Sequence, residues 1–158
     1  MRGAELLHRL SSKATETEEL NIPDTKKARF MHGCFSVKQN GNVSNVYVFG
    51  GESTSIKSIT MKSTEVLNVN DLTWSDGPNL PIGMYENAGV ESNDNQYLGF
   101  SVGGSTADGT QEEYQFKNII YGLQKSGDNQ KWVAFKSMNE PRKHASVVNV
   151  PSSLLTFC

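Results

Sequence analysis

The chain is poor in the residues that announce most chemistries. It carries 2 cysteines, Cys34 and Cys158, too few for a disulfide framework, so both read as free thiols. None of its 3 histidines, His8, His32 and His144, has a second His or Cys at metal-ligand spacing. Gly-rich phosphate signatures and the Gly-x-Ser-x-Gly nucleophile turn are both missing, and Asp and Glu are scattered among turn-like segments rather than set as a pair. Catalysis is therefore not expected, and neither is a cofactor or metal. With 15 Lys and Arg against 17 Asp and Glu, the net charge is −2, which leaves no positive field for a phosphate backbone. No apolar run approaches the roughly 18 residues of a spanning helix, so neither nucleic acid nor membrane is expected as a partner. The start, Met1 to Leu7, lacks the apolar core of a signal peptide, so a cytoplasmic setting is the expectation and the compartment is otherwise open. The sequon Asn42-Val43-Ser44 would matter only in a secreted protein.

What the chain does have is a double glycine, twice, each time at the end of an apolar run. Val46-Tyr47-Val48-Phe49 leads into Gly50-Gly51, and Tyr97 to Val102 leads into Gly103-Gly104, 53 residues later. A unit of about 50 residues, built of short strands, points to propeller blades. The first unit reads as a four-strand meander. Gly33 to Lys38 turns at Asn40-Gly41, which accept positive φ cheaply, into Val46 to Phe49. A polar loop, Glu52 to Lys62, then leads to the alternating run Thr64 to Val69 and to a fourth strand from Leu72 to Ser75. The second unit repeats the pattern with Ala88 to Glu91, Tyr97 to Val102, a loop from Ser105 to Glu113, Asn118 to Leu123 and Lys131 to Phe135.

A third unit opens at Pro141-Arg142-Lys143-His144 and is expected to run as a strand through Ala145 to Val150. The expected organisation is a leader or linker over 1–28, blades over 29–81 and 82–140, and the first strands of a truncated blade over 141–158. The leader offers either a short helix, with Ala4, Leu6, Leu7 and Leu10 on one face, or a strand over Thr17 to Ile22. Two units and part of a third leave open sheet edges. The expectation is a piece of a longer propeller, or a chain that assembles with copies of itself.

The run ending in Gly-Gly, followed by Trp74 in the first unit and Trp132 in the second, resembles the kelch repeat, and Pro141-Arg142 resembles the opening of a kelch blade. The resemblance covers about residues 28 to 158. Two departures stand out. The kelch tyrosine seven residues before the tryptophan is Leu67 in the first unit and Lys125 in the second, with Tyr121 further away. The resemblance implies an all-β fold, an incomplete kelch-type β-propeller of four-stranded antiparallel blades. It further implies tryptophans packed between blades and a protein-interaction role as adaptor or scaffold. An alternative that it also implies is a fragment of a kelch-type enzyme, of the sugar isomerase or copper oxidase class.

In such a meander the second-to-third loop and the segments leading into each blade share one end, and loops on a rigid scaffold carry recognition. That end is expected to bind a protein partner, whose identity the sequence leaves open. The candidate partner-binding residues are Arg29, His32, Tyr85, Glu86, Asn87, Arg142, Lys143 and His144 in the lead-in segments, with Ser53, Ser55 and Asp108 in the loops. Arg and Tyr are favoured because they join apolar area to directed hydrogen bonds.

Overall fold

A computed structural model of the chain describes residues 22–53, 59–107, 115–125 and 129–150, and contains no helix among them. Two four-stranded antiparallel sheets dominate. The first follows chain order, β1 (Gly33–Gln39), β2 (Asn42–Phe49), β5 (Thr64–Asn68) and β6 (Thr73–Gly77). The second repeats it with β7 (Ala88–Glu91), β8 (Tyr97–Val102), β11 (Ile119–Gln124) and β12 (Lys131–Ser137). These two blades carry the alternation and turn residues expected of them. The β1–β2 turn holds Asn40 at φ 53° and Gly41 at φ 82°, the twist a two-residue hairpin demands.

The second-to-third connections are not plain loops. Each contains a two-stranded hairpin: β3 (Glu52–Ser53) with β4 (Ile59–Thr60) in the first blade, β9 (Ser105–Thr106) with β10 (Gln115–Phe116) in the second. Backbone bridges Phe30↔Glu52 and Tyr85↔Ser105 tie each hairpin to the segment leading into its own blade.

Register makes the blades superposable residue by residue. Val46 lies opposite Leu67, which lies opposite Trp74; Gly99 lies opposite Leu123, which lies opposite Trp132. The second-unit counterpart of Leu67 is therefore Leu123, not Lys125, because the turn before β12 is two residues longer. The seam between the blades is the core. Phe35, Tyr47 and Phe49 of the first blade cluster with Tyr121, Leu123 and Trp132 of the second and with Leu80 and Met84 between them. The Phe49 and Trp132 rings lie 4.9 Å apart in a tilted pair, and the Trp132 indole N–H donates to Thr64 Oγ1 at 3.1 Å. The resemblance implies both tryptophans in such seams; among the described residues, Trp132 is the one packed on a neighbouring blade.

Two expectations change. Ala145 to Val150 forms no strand, because no described segment supplies the ladder partner it would need. Residues 22–28 are not a loose linker: Lys26 and Lys27 donate their backbone N–H groups to Glu65, at 2.7 and 3.2 Å, and the Trp74 indole N–H donates to Pro23 O at 2.8 Å. The short helix and most of the leader strand considered for the start, and the part of the third unit beyond residue 150, lie outside the described residues.

Candidate functional site

The double glycines are the anchors of the lead-in end. Gly50 and Gly51 have φ of 68° and 91°, Gly103 and Gly104 of 60° and 106°. Gly51 N–H donates to Met84 O and Gly104 N–H to Arg142 O, both at 2.7 Å. A Cβ on Gly50 or Gly103 would strike that same carbonyl. Each pair thus seats the segment that opens the next blade against the end of the previous second strand.

Those segments share a second feature. Met31, Glu86 and His144 have φ of 53°, 57° and 49°, unusual for residues with a side chain, and they occupy equivalent places in the three units. Glu86 N–H donates to Met31 O at 2.8 Å, and His144 N–H to Glu86 O at 3.1 Å. One backbone chain of hydrogen bonds therefore links the openings of successive blades.

The candidate residues fall into three groups on this frame. Arg29, Tyr85 and Asn87 are internal, which corrects their reading as partner contacts. The Arg29 side chain is 1% exposed; its guanidinium pairs with the buried Glu65 carboxylate and donates to Gly50 O at 2.8 Å and Ser63 O at 2.9 Å. Tyr85 is 5% exposed and bridges Ser105 through its backbone, while Asn87, equally buried, donates to Ser101 Oγ at 2.9 Å. Desolvation explains the placement: a buried guanidinium needs its charge and donors answered locally, and Glu65 is the group that does so.

Glu86, Lys143 and His144 come together, as expected of residues on one face. The Glu86 carboxylate meets His144 Nε2 at 2.8 Å and Lys143 Nζ at 3.5 Å, and accepts from Ser105 Oγ at 3.2 Å. Arg142 is exposed beside them, and its backbone carbonyl is the anchor for Gly104. His32 and Ser53 are half-buried; His32 lines a cavity on the outer side of the first blade rather than facing the Glu86 cluster. Ser55 and Asp108 lie outside the described residues.

Sequence reasoning missed the apolar part of this face. Ile59 and Phe116 stand on the two hairpins at 49% and 50% exposure, and Phe30 and Met31 on the first lead-in at 39% and 46%. Lys143 Nζ lies 4.8 Å from the centre of the Phe116 ring, a cation–π contact. Thr60 Oγ1 donates to Ala107 O at 2.6 Å, which joins the hairpins of the two blades into one surface. A Phe within the polar stretch 105–117 was the available signal. No group of three or more His, Cys, Asp or Glu among the described residues is placed to hold a metal ion.

A cavity of about 410 Å³, mostly apolar, lies on the first blade's outer side. Cys34, Val46, Val48, Leu67 and Trp74 of the sheet line it together with residues 22–25 and 29–32.

Two four-stranded antiparallel meanders packed face to face, with a third opening segment docked in the same manner, define a propeller-like all-β protein. No protein-family model matches the chain, and no curated protein does. Among solved structures it is similar to that of YjhT, a β-propeller-like protein, with a TM-score of 0.62 at 13% identity. The match covers 81% of this chain and 44% of that one, so the chain spans less than half of its neighbour's length.

Proposed function

We propose that the chain is a protein-interaction module, an adaptor or scaffold of the kelch-repeat kind, which holds a protein partner on the end of the blades that carries the hairpins and lead-in segments. The observation that supports this reading is the company of exposed Ile59, Phe116, Phe30 and Met31 with the polar Lys143, His144 and Arg142 on that end. Apolar anchors among Arg, Lys and carboxylate groups are the composition of a protein interface, and contiguous exposed apolar side chains are rarely idle on a soluble surface. The double glycines hold the face rigid, so little ordering entropy is lost when a partner docks.

A photo-crosslinking residue placed at Phe116 tests the reading against one placed at Val43. Val43 is 38% exposed but sits by the β1–β2 turn, at the opposite end of the blade. Adducts with a discrete protein are expected from position 116 and not from position 43. Adducts from 43 alone, or equally from both, would overturn the proposal.

A further inference from the structure

A second recess lies at the other end of the blades from the hairpins, where β1 of the first blade meets the turns of the second. It holds about 250 Å³. In its lining Lys38 of the first blade meets Glu91 of the second, Nζ to Oε1, at 3.2 Å. Ser36, Asn93 and Lys125 also line it, and their side chains have no hydrogen-bond or ion-pair partner among the described residues. Lys38, Asn93 and Lys125 are exposed and Ser36 and Glu91 half-buried, so the recess is open to solvent. Two breaks in strand register border it. β1 slips against β2 between Val37 and Lys38, where Ser44 Oγ donates to Val37 O at 3.1 Å, and β8 slips against β11 beside Leu98. The equivalent pairing in the first blade, β2 with β5, runs unbroken. Such bulges re-aim side chains and gather next to active sites. Ser92 N–H donates to Leu98 O at 3.0 Å and Lys125 N–H to Gln96 O at 2.8 Å, which fixes the segments that carry Asn93 and Lys125.

We infer that this recess binds a compact organic anion through a carboxylate or phosphate group. Charge sets the sign of the ligand. Lys38 and Lys125 share the lining with one carboxylate, Glu91, and Lys38 already answers it. An ammonium group donates and never accepts, so Lys125 calls for an acceptor, and an oxyanion offers several at once. Asp94, the acid of the neighbouring turn, is tied to its own backbone, where Oδ1 accepts from Gln96 N–H. The Asn93 amide and the Ser36 hydroxyl add neutral donors beside the ammonium groups. Tyr97, Leu98 and Val37 supply an apolar wall, which suits a carbon framework better than a bare inorganic ion. The volume falls below the roughly 300–1,000 Å³ of a site for a drug-sized molecule, so the ligand is a small one.

The test titrates the full chain with glycerol 3-phosphate and, separately, with malate, following backbone amide signals by NMR, with glycerol as the uncharged control. At least one anion should saturate with a dissociation constant of about 1 mM or tighter. The amides of residues 36–38, 91–93 and 125 should move, and glycerol should move none of them. Saturation by the phosphate alone assigns a phosphate ester, and by malate alone a carboxylate; either supports the inference. Lys125→Gln should weaken binding about tenfold, and Lys125→Arg should weaken it less. Asn93→Ala, in the other turn, repeats the test on a second residue; both positions are exposed, and the amide spectrum away from the recess checks that each variant folds. Failure of both anions to saturate overturns the inference. Saturation that neither Lys125→Gln nor Asn93→Ala weakens, or shifts scattered over the other lysines, overturns it too, since that is an adventitious ion only. Crosslinking from position 116 is independent of every one of these outcomes, so the two proposals fail separately.

Discussion

The first blade presents one face to its neighbour and the opposite one to no other blade among the described residues, and the same structural positions are filled differently on the two sides. In the seam, Met84, Tyr121, Leu123 and Trp132 make a continuous apolar cluster. On the first blade's outer face the equivalent positions are Arg29, Glu65, Leu67 and Trp74. Arg29 matches Met84 because each lies two residues before a positive-φ opening residue. Glu65 matches Tyr121 because each lies two residues before the leucine that faces the tryptophan. Where a blade covers the sheet, burial of apolar area holds the lead-in segment down. Where no described blade does, an ion pair and the donors Lys26 N and Lys27 N hold it. The same backbone task is met by hydrophobic packing on one side and by a buried ion pair on the other.

The comparison breaks most readily at the tryptophans. Trp132→Ala should cost about 3–5 kcal/mol in urea unfolding, the usual loss for a buried large aromatic. Trp74→Ala, with the half-exposed residue, should cost less than half as much; equal costs would mean that the first blade's outer face is covered in solution. Glu65→Ala leaves the Arg29 charge buried and unpaired, with an expected loss of about 3 kcal/mol or more. The double change Arg29→Met with Glu65→Tyr copies the second blade's solution onto the first and should lose clearly less than Glu65→Ala alone. A double variant no better than the single one would show that the two sides are not interchangeable.

The glycines sharpen the same contrast at lower cost. Gly50→Ala combines a positive φ with collision against the Met84 carbonyl, and about 2–3 kcal/mol of destabilisation is expected. Gly41→Ala has a positive φ and open space around it, so about 1 kcal/mol is expected, with unfolding midpoints as the readout.

The smallest effect is alkaline. Burial in the seam raises the Tyr47 phenol above its ordinary 10.0, offset in part by the hydrogen bond to Gln130; burial also raises Tyr121. A raised folded-state value means full stability below pH 10, lost as the pH climbs towards the folded-state value, because only the unfolded chain ionises freely there. Tyr47→Phe should therefore flatten the fall in stability above pH 10. An unchanged slope would place the alkaline weakness elsewhere.

Much of this fold was legible in the residues. Alternation, Asn40-Gly41 and the two double glycines located every strand of both blades within a few residues, because those signals are local. The hairpins were not legible: strands of two residues arise from backbone bridges to Phe30 and Tyr85, and no side-chain pattern marks them. Arg29 looked like a surface residue because Glu65, the group that neutralises it, lies 36 residues away in the chain. Glu86 with His144 was anticipated as a shared face, but not as a direct side-chain contact across 58 residues, since only the packing of one blade opening on the next brings them together.

The chain of hydrogen bonds from Met31 to Glu86 to His144 uses main-chain atoms alone. A join made that way asks nothing of the side chain at each step beyond tolerance of a left-handed backbone. Methionine, glutamate and histidine already fill the three places. The joints of the array are thus generic while the residues riding on them are free to vary, and a surface so arranged can acquire new partners by substitution without renegotiating how its blades fit together.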